Sequence, residues 1–187
     1  MRIISGFYKG KKILEPKDIK TRPLKDLTKE SIFNIIIHTK KFKINFEDAM
    51  ILDLFSGVGS FGLECLSRGV KKVIFVENYS GVLPILKKNL FNLKSEDNYE
   101  ILEKNIYDES TFLIFKNKFD IIFLDPPYKD KNIDEILSNI KKQKLLTQNG
   151  IIIMHRHKSE DNKSLQNIKI LEMKKYGISK VFFISLN

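Results

Sequence analysis

The chain has a single cysteine among its 187 residues, Cys65, so no internal disulfide can form and a reducing, cytoplasmic compartment is expected. Cys65 falls in a helical pattern and reads as small core filler. No stretch approaches the ~20 consecutive apolar residues of a membrane span, which excludes a membrane partner. No signal peptide is visible, since Met1-Arg2-Ile3-Ile4-Ser5 runs at once into Gly6, Lys9, Lys11 and Lys12. Histidine is scarce, with three in all. His155 and His157 alternate near the end of a strand but lack cysteine or carboxylate partners at ligand spacing. No metal is expected, and both read as structural or surface residues. Internal repeats and low-complexity segments are missing too, leaving one domain with an appendage and a monomer as the default.

Acidic residues are in short supply at both ends. Residues 1–47 carry 12 basic and 5 acidic groups, and residues 140–187 carry 10 and 3; the middle, 48–139, carries 11 and 15. Basic ends around an acidic middle suit a polyanion held by the termini. Arginine supplies only 4 of the 33 basic groups, and a lysine bias of this kind also arises from genome composition, so the excess in the arm counts for more than the total. The expected division is a basic extension, 1–47, and a catalytic domain, 48–187. In the extension, Gly6 and Gly10 between short apolar pieces predict a small hairpin with Lys9, Lys11 and Lys12 near its turn. Thr21-Arg22-Pro23 reads as extended chain, because a residue before proline avoids the helical region. A helix follows over Lys25–Thr39, with Leu27, Ser31, Ile32, Ile35 and Ile36 on one stripe and Lys29 and Glu30 turned away from it.

The stretch around which the rest is organised is Ile121-Ile122-Phe123-Leu124-Asp125-Pro126-Pro127-Tyr128. Four apolar residues in a row suit a parallel strand covered on both faces. The two prolines stop it, leaving Asp125 and Tyr128 at its carboxyl end, where open α/β sheets bind ligands. The tetrapeptide also has a chemical reading. An amino group on a planar ring has its lone pair delocalised. A carboxylate and a backbone carbonyl accepting its hydrogens turn that pair toward an electrophile. Asp125 and the Pro126 carbonyl fit as acceptors, and Tyr128 as a stacking platform.

Upstream, the strand Met50–Phe55 leads into Ser56-Gly57-Val58-Gly59-Ser60 and a helix over Phe61–Arg68, ended by Gly69. Strand, Gly-x-Gly and helix form a nucleotide-cofactor loop, with Gly57 and Gly59 letting the backbone approach a ligand at a helix N-terminus. Asp53 before the glycines would repel a pyrophosphate. It suits a cationic, amino-bearing ligand, which favours S-adenosylmethionine over NAD. The next strand, Lys72–Glu77, ends in an acid placed to take both ribose hydroxyls. A helix over 82–93, a strand over 99–103 and a short helix over 109–116 lead to the tetrapeptide strand, and Asn105 stands where a polar side chain reaches an adenine edge. A helix over 133–142, a strand over 150–155 and a final hairpin of strands, 168–174 and 180–186, complete the pattern.

These pieces resemble a class I S-adenosylmethionine-dependent methyltransferase. Over nearly the whole length the chain is similar to the bacterial 16S rRNA (guanine(966)-N2)-methyltransferase family. The resemblance is carried by Met1-Arg2-Ile3-Ile4-Ser5-Gly6 with Gly10, Arg22-Pro23 with Glu30 and Phe33-Asn34, and Leu52-Asp53-Leu54-Phe55-Ser56-Gly57 with Gly59. It continues through Gly62-Leu63-Glu64, Leu66-Ser67-Arg68-Gly69, Val76-Glu77, Asn89-Leu90, Asp125-Pro126-Pro127-Tyr128 and Tyr176-Gly177. It implies an α/β, Rossmann-like fold with a seven-stranded mostly parallel sheet, a C-terminal antiparallel hairpin and a small N-terminal extension. Transfer of methyl from S-adenosylmethionine to guanine N2 of 16S rRNA, in the small ribosomal subunit or an assembly intermediate, is the implied reaction. Asp125, Pro126 and Tyr128 would be catalytic. Asp53, Phe55, Gly57, Gly59, Glu77 and Asn105 would hold the cofactor, and Lys9, Lys11, Lys12, Arg22 and Lys29 would contact RNA. The chain departs from the family at Leu24 (threonine is usual), Lys29 (arginine), Asn105 (aspartate) and His155 (glutamate). Rival expectations are DNA adenine-N6 methylation, glutamine-N5 methylation and an inactive RNA-binding assembly factor.

Overall fold

The computed structural model describes residues 1–16, 24–94, 98–128, 130, 132–160, 165 and 168–186. Seven strands form one sheet: β1 (Met50–Leu54), β2 (Lys72–Val76), β3 (Tyr99–Leu102), β4 (Phe119–Leu124), β5 (Leu146–His157), β6 (Lys169–Tyr176) and β7 (Ser179–Ser185). Their order is β3-β2-β1-β4-β5-β7-β6. The first five are mutually parallel, and β7 inserts antiparallel between β5 and β6. The order reverses between β1 and β4, so their carboxyl ends meet at the switch point where such sheets open a crevice.

Alternation along the strands explains why they are almost continuously apolar. Ile51, Val73, Phe75, Ile121, Phe123, Ile151 and Ile153 point into one apolar layer. Their neighbours Leu52, Ile74, Val76, Ile122, Leu124, Ile152 and Met154 point into the other. Both faces are therefore covered. The first layer is closed by α1 (Asp26–His38), α2 (Ser60–Ser67) and α3 (Leu83–Leu93). The second is closed by α4 (Ser110–Leu113) and α5 (Ile133–Lys142). Among the described residues no helix is long and apolar enough to cross a membrane.

The N-terminal segment shares the first layer, through Ile3, Ile13, Leu24, Ile32, Phe33 and Ile36. The expected hairpin is a turn closed by one antiparallel bridge, Arg2 with Lys12, rather than a pair of extended strands. It is stitched to α2 by side chains of that helix. Glu64 accepts the backbone N–H groups of Ile4 and Ser5, at 2.7 and 3.0 Å. Ser67 accepts from the Tyr8 N–H through its hydroxyl and from the Phe7 N–H through its carbonyl.

Two expectations are corrected. On α1 the buried stripe is Thr28, Lys29, Ile32, Phe33 and Ile36, while Leu27 is exposed. Lys29 is thus inside the protein. Its Nζ donates to the Arg2 carbonyl at 2.7 Å and lies 3.9 Å from Glu64 and 3.8 Å from Asp26. With no side-chain surface in water it cannot contact RNA phosphates. The fifth strand is also longer than its apolar run. It starts at Leu146, where the chain pairs with Phe119 before a register irregularity, and continues to His157.

Candidate active site

A cavity of about 630 Å³ opens at the carboxyl ends of β1, β2, β4 and β5. Phe55, Ser56, Gly57 and Val58 form one wall and Glu77, Asn78 and Tyr79 the next. Lys104–Tyr107 and Asp125–Tyr128 follow, His155–His157 close the ring, and Lys25 and Thr28 of α1 stand at its edge.

The glycine loop is held from within. Phe55 and Gly57 both take positive φ, 62° and 55°, so the chain folds back on itself after β1. The Ser56 hydroxyl donates to the carbonyls of Asp53 and Val76, which ties the loop to β2. Glu77 accepts the Gly57 N–H at 2.8 Å on one oxygen and those of Asn78 and Tyr79 on the other. A carboxylate gripped by three backbone donors has a fixed orientation, with lone pairs left for ribose hydroxyls.

Gly59 and Asp53 act otherwise than expected. Neither lines the cavity. A Cβ on Gly59 would come within 2.6 Å of Leu86 Cδ1, so its small size serves the approach of α3 rather than of a ligand. Asp53 is buried, and its carboxylate accepts the Gly62 N–H at 3.0 Å. Burial pushes its pKa well up; the Gly62 N–H draws it down, and the charges of Asp125 and Glu77 add to the rise. Its place is beneath the loop, anchoring the first turn of α2, and not at the methionine end of a cofactor. Asn105 is exposed on the rim, with its side-chain oxygen accepting the Tyr107 N–H at 3.1 Å. Tyr107 in turn packs against Phe55 and bonds through its hydroxyl to Asp130, so the loops after β3 and β4 are joined across the cavity. Burial and the Asp130 carboxylate push the Tyr107 pKa up, keeping it a neutral donor.

At the tetrapeptide, Asp125 is half-buried, Pro126 is buried and Tyr128 is half-exposed. Leu124 pairs with Met154, so the next residues, Asp125 and His155, fall side by side. His155 Nδ1 is 2.8 Å from Asp125 Oδ1. The Tyr128 ring meets His157 edge-on, centroids 5.0 Å apart, and both bond to the Ser159 hydroxyl. Both histidines, expected to be structural or surface residues, therefore touch the tetrapeptide. The signal was in the topology: β4 and β5 are parallel neighbours, and whatever follows one faces whatever follows the other.

The expected RNA residues are scattered. Lys9, Lys11 and Lys12 are exposed, but none lines the cavity. Lys11 reaches the Asn92 carbonyl and lies over the Tyr8 ring, beside the far ends of α2 and α3. The eight residues of α2 separate that turn from the cavity by about 10 Å. Arg22, with its stretch 21–23, lies outside the described residues. Lys25 and Lys104, which the sequence did not single out, are the lysines that line the cavity.

This fold and this cavity define the class: a class I S-adenosylmethionine-dependent methyltransferase. The gripped acid after β2, the tight turn at Gly57 and the polar rim at Asn105 fit that cofactor. The family model described as Conserved hypothetical protein 95 matches residues 1–185, and the chain belongs to that family. It is 32% identical to Ribosomal RNA small subunit methyltransferase D of Haemophilus influenzae over 179 residues, 95% of this chain and 90% of that one. Among solved structures, it is similar to the Escherichia coli protein yhhF, with a TM-score of 0.80 at 27% identity over 98% and 96% of the two chains. SMU.776, solved in complex with SAH, shares the fold at 17% identity and a TM-score of 0.63, over 84% of this chain and 49% of that one.

Proposed function

We propose that the chain transfers a methyl group from S-adenosylmethionine to the exocyclic N2 of a guanine in 16S rRNA. The observation that carries this is the placement of Asp125, Pro126 and Tyr128 on one wall of the cavity, with Glu77 and Gly57 on another. The name of the H. influenzae relative supports small-subunit rRNA as the substrate.

Glu77 takes the ribose hydroxyls, Phe55 and Gly57 shape the wall beside them, and Asn105 serves the adenine edge. Gly59 and Asp53 support that wall from behind. When bound, the cofactor supplies a sulfonium-activated methyl group, so the protein contributes mainly position and electrostatics. The guanine is unstacked, because its N2 is shielded in a paired stem. Its ring rests on Tyr128, whose position is set by His157 and Ser159. Asp125 and the Pro126 carbonyl accept the N2 hydrogens and aim the lone pair. Residues 1–47 form the RNA-contacting extension of the catalytic domain, 48–187. Lys25 and Arg22 serve it near the cavity, and Lys9, Lys11 and Lys12 take phosphates of a more distant segment. Such binding weakens steeply with salt.

The test is transfer of labelled methyl to undermethylated small subunits, naked rRNA and DNA in parallel, followed by nucleoside analysis. N2-methylguanine in rRNA, lost with Asp125→Ala while cofactor binding is kept, is the expected result. Label in adenine or in DNA, or near-normal turnover by Asp125→Ala, overturns the reading.

A further inference from the structure

His155 is unusual among the charged and titratable groups around the cavity, because its partner is the residue assigned to the reacting amine. Its side chain is 19% exposed, and Nδ1 lies 2.8 Å from Asp125 Oδ1. In the neutral ring only an Nδ1–H makes this contact favourable, since a bare Nδ1 would set a lone pair against a carboxylate oxygen. The bond occupies one oxygen of Asp125, leaves the other free and fixes the plane between them.

We propose that His155 is a positioning residue for methyl transfer, acting through Asp125: neutral, it holds the carboxylate in line with the target amine; protonated, it weakens that carboxylate and slows the reaction. This rests on Asp125 being the acceptor of the amine. During transfer the N–C bond forms, the C–S bond breaks with its electron pair left on sulfur, and positive charge builds on the amine nitrogen. A full negative charge on Asp125 stabilises that change. An imidazolium 2.8 Å away draws on the same charge and adds a second cation to a site that must take a sulfonium.

The groups facing His155 set when this happens. Asp125 approaches from the end of β4 and Glu160 from the turn after β5, while its partner on β7, Val181, is uncharged. Arg156, next in the chain, is engaged by Glu160. Asp53 and Glu77 add negative charge behind Asp125. Burial disfavours the imidazolium, but the charge and hydrogen bond of Asp125, with the charge of Glu160, outweigh it and bring the pKa above 6.5. The change of state therefore falls close to neutral pH.

Two measurements test this together. The first follows the His155 imidazole by NMR from about pH 5.5 to 9 in the full chain and in Asp125→Asn; with three histidines in the sequence the resonances are few. The second measures kcat and KM for both substrates over the same range in the wild type and His155→Gln, whose side-chain amide donates without titrating. In the wild type, His155 is expected to titrate above 6.5, and to titrate lower in Asp125→Asn. The wild-type kcat should fall on the acid side with the midpoint seen by NMR. His155→Gln should lose that acid limb, with kcat about tenfold lower at alkaline pH and the KM for cofactor little moved. A kcat that does not change through the His155 titration, or a limb that persists in His155→Gln, overturns the proposal. If His155→Gln does not fold, the coincidence or mismatch of the wild-type midpoints still decides. The outcomes separate from those of the amine reading, since activity in Asp125→Ala refutes that reading while leaving the NMR coupling intact.

Discussion

Replacing Lys29 with methionine separates a buried strut from a surface cation. The Lys29 Nζ donates to the Arg2 carbonyl at 2.7 Å and reaches the Ser60 hydroxyl at 3.4 Å. Methionine keeps the length and apolar stem and removes the donor. The Arg2 carbonyl then loses its partner, at a cost of about 1–3 kcal/mol. The larger penalty of about 3–5 kcal/mol for an orphaned buried ion does not apply to Glu64. That carboxylate still accepts from Ile4, Ser5 and Arg68, the last at 2.9 Å. A smaller term works the other way. Burial pulls the Lys29 pKa down, against the pull of Glu64 and Asp26 upward, with Arg68 adding to the fall, so removing the ammonium relieves some strain on its charged form. The balance is a loss of about 2 kcal/mol, or roughly 4–8 °C in Tm for a chain of this size. Urea unfolding followed by circular dichroism reads the loss as a shifted midpoint with unchanged slope. RNA binding across a salt series should keep its slope, whereas losing a phosphate contact would reduce it by about 0.9. An unmoved midpoint with a shallower salt slope would refute the buried placement.

Three further outcomes follow from the supports of the cavity. Gly62→Ala would set a Cβ 2.2 Å from the Phe75 ring and 2.9 Å from Val73 Cγ1, so α2 must lift from β2; a stability loss of about 1–3 kcal/mol in urea unfolding is expected, with weaker cofactor binding by calorimetry. Glu77→Ala leaves the N–H groups of Gly57, Asn78 and Tyr79 without their charged acceptor, and cofactor affinity should fall about 10- to 100-fold, well beyond the effect of Asn105→Ala. Asp53 has a raised folded-state pKa, chiefly through burial, so the folded protein holds that proton more tightly than the unfolded chain; stability should be lost as pH climbs from 3.8 through the raised value. Asp53→Asn lacks this loss, and its unfolding midpoint relative to wild type should improve between about pH 4 and 8.

Most of the sheet was legible because strands buried on both faces leave a plain signature. Ile121–Leu124 and Ile151–Met154 are continuous apolar runs, and the first stops at two prolines. The edges of β5 were not legible. Thr147, Gln148 and Asn149 carry polar side chains, and they are extended because β4 supplies a pairing partner, which no local pattern reports. The stripe on α1 failed in a different way. Residues 29, 32, 33 and 36 have helical spacing, so the period includes Lys29. A reading that sends charge to solvent passed over it and chose Leu27. The missing fact was Glu64, 35 positions onward and buried, which makes an internal ammonium tolerable.

The site shows the same division between chemistry and neighbourhood. Asp-Pro-Pro-Tyr, Gly-x-Gly and the acid after β2 announce their chemistry because each is a local arrangement of backbone and side chain. His155 and His157 carry no such mark, since alternate histidines near a strand end are ordinary surface chemistry in isolation. Their meaning comes from strand order. Once β5 lies parallel to β4 with Met154 beside Leu124, the residue after each strand meets the other, and a 30-residue separation closes to a 2.8 Å contact. Parallel sheets collect the ends of distant strands at one edge. A residue in that position should therefore be read together with the strand-end residues of its spatial neighbours, and His155 read that way belongs with Asp125.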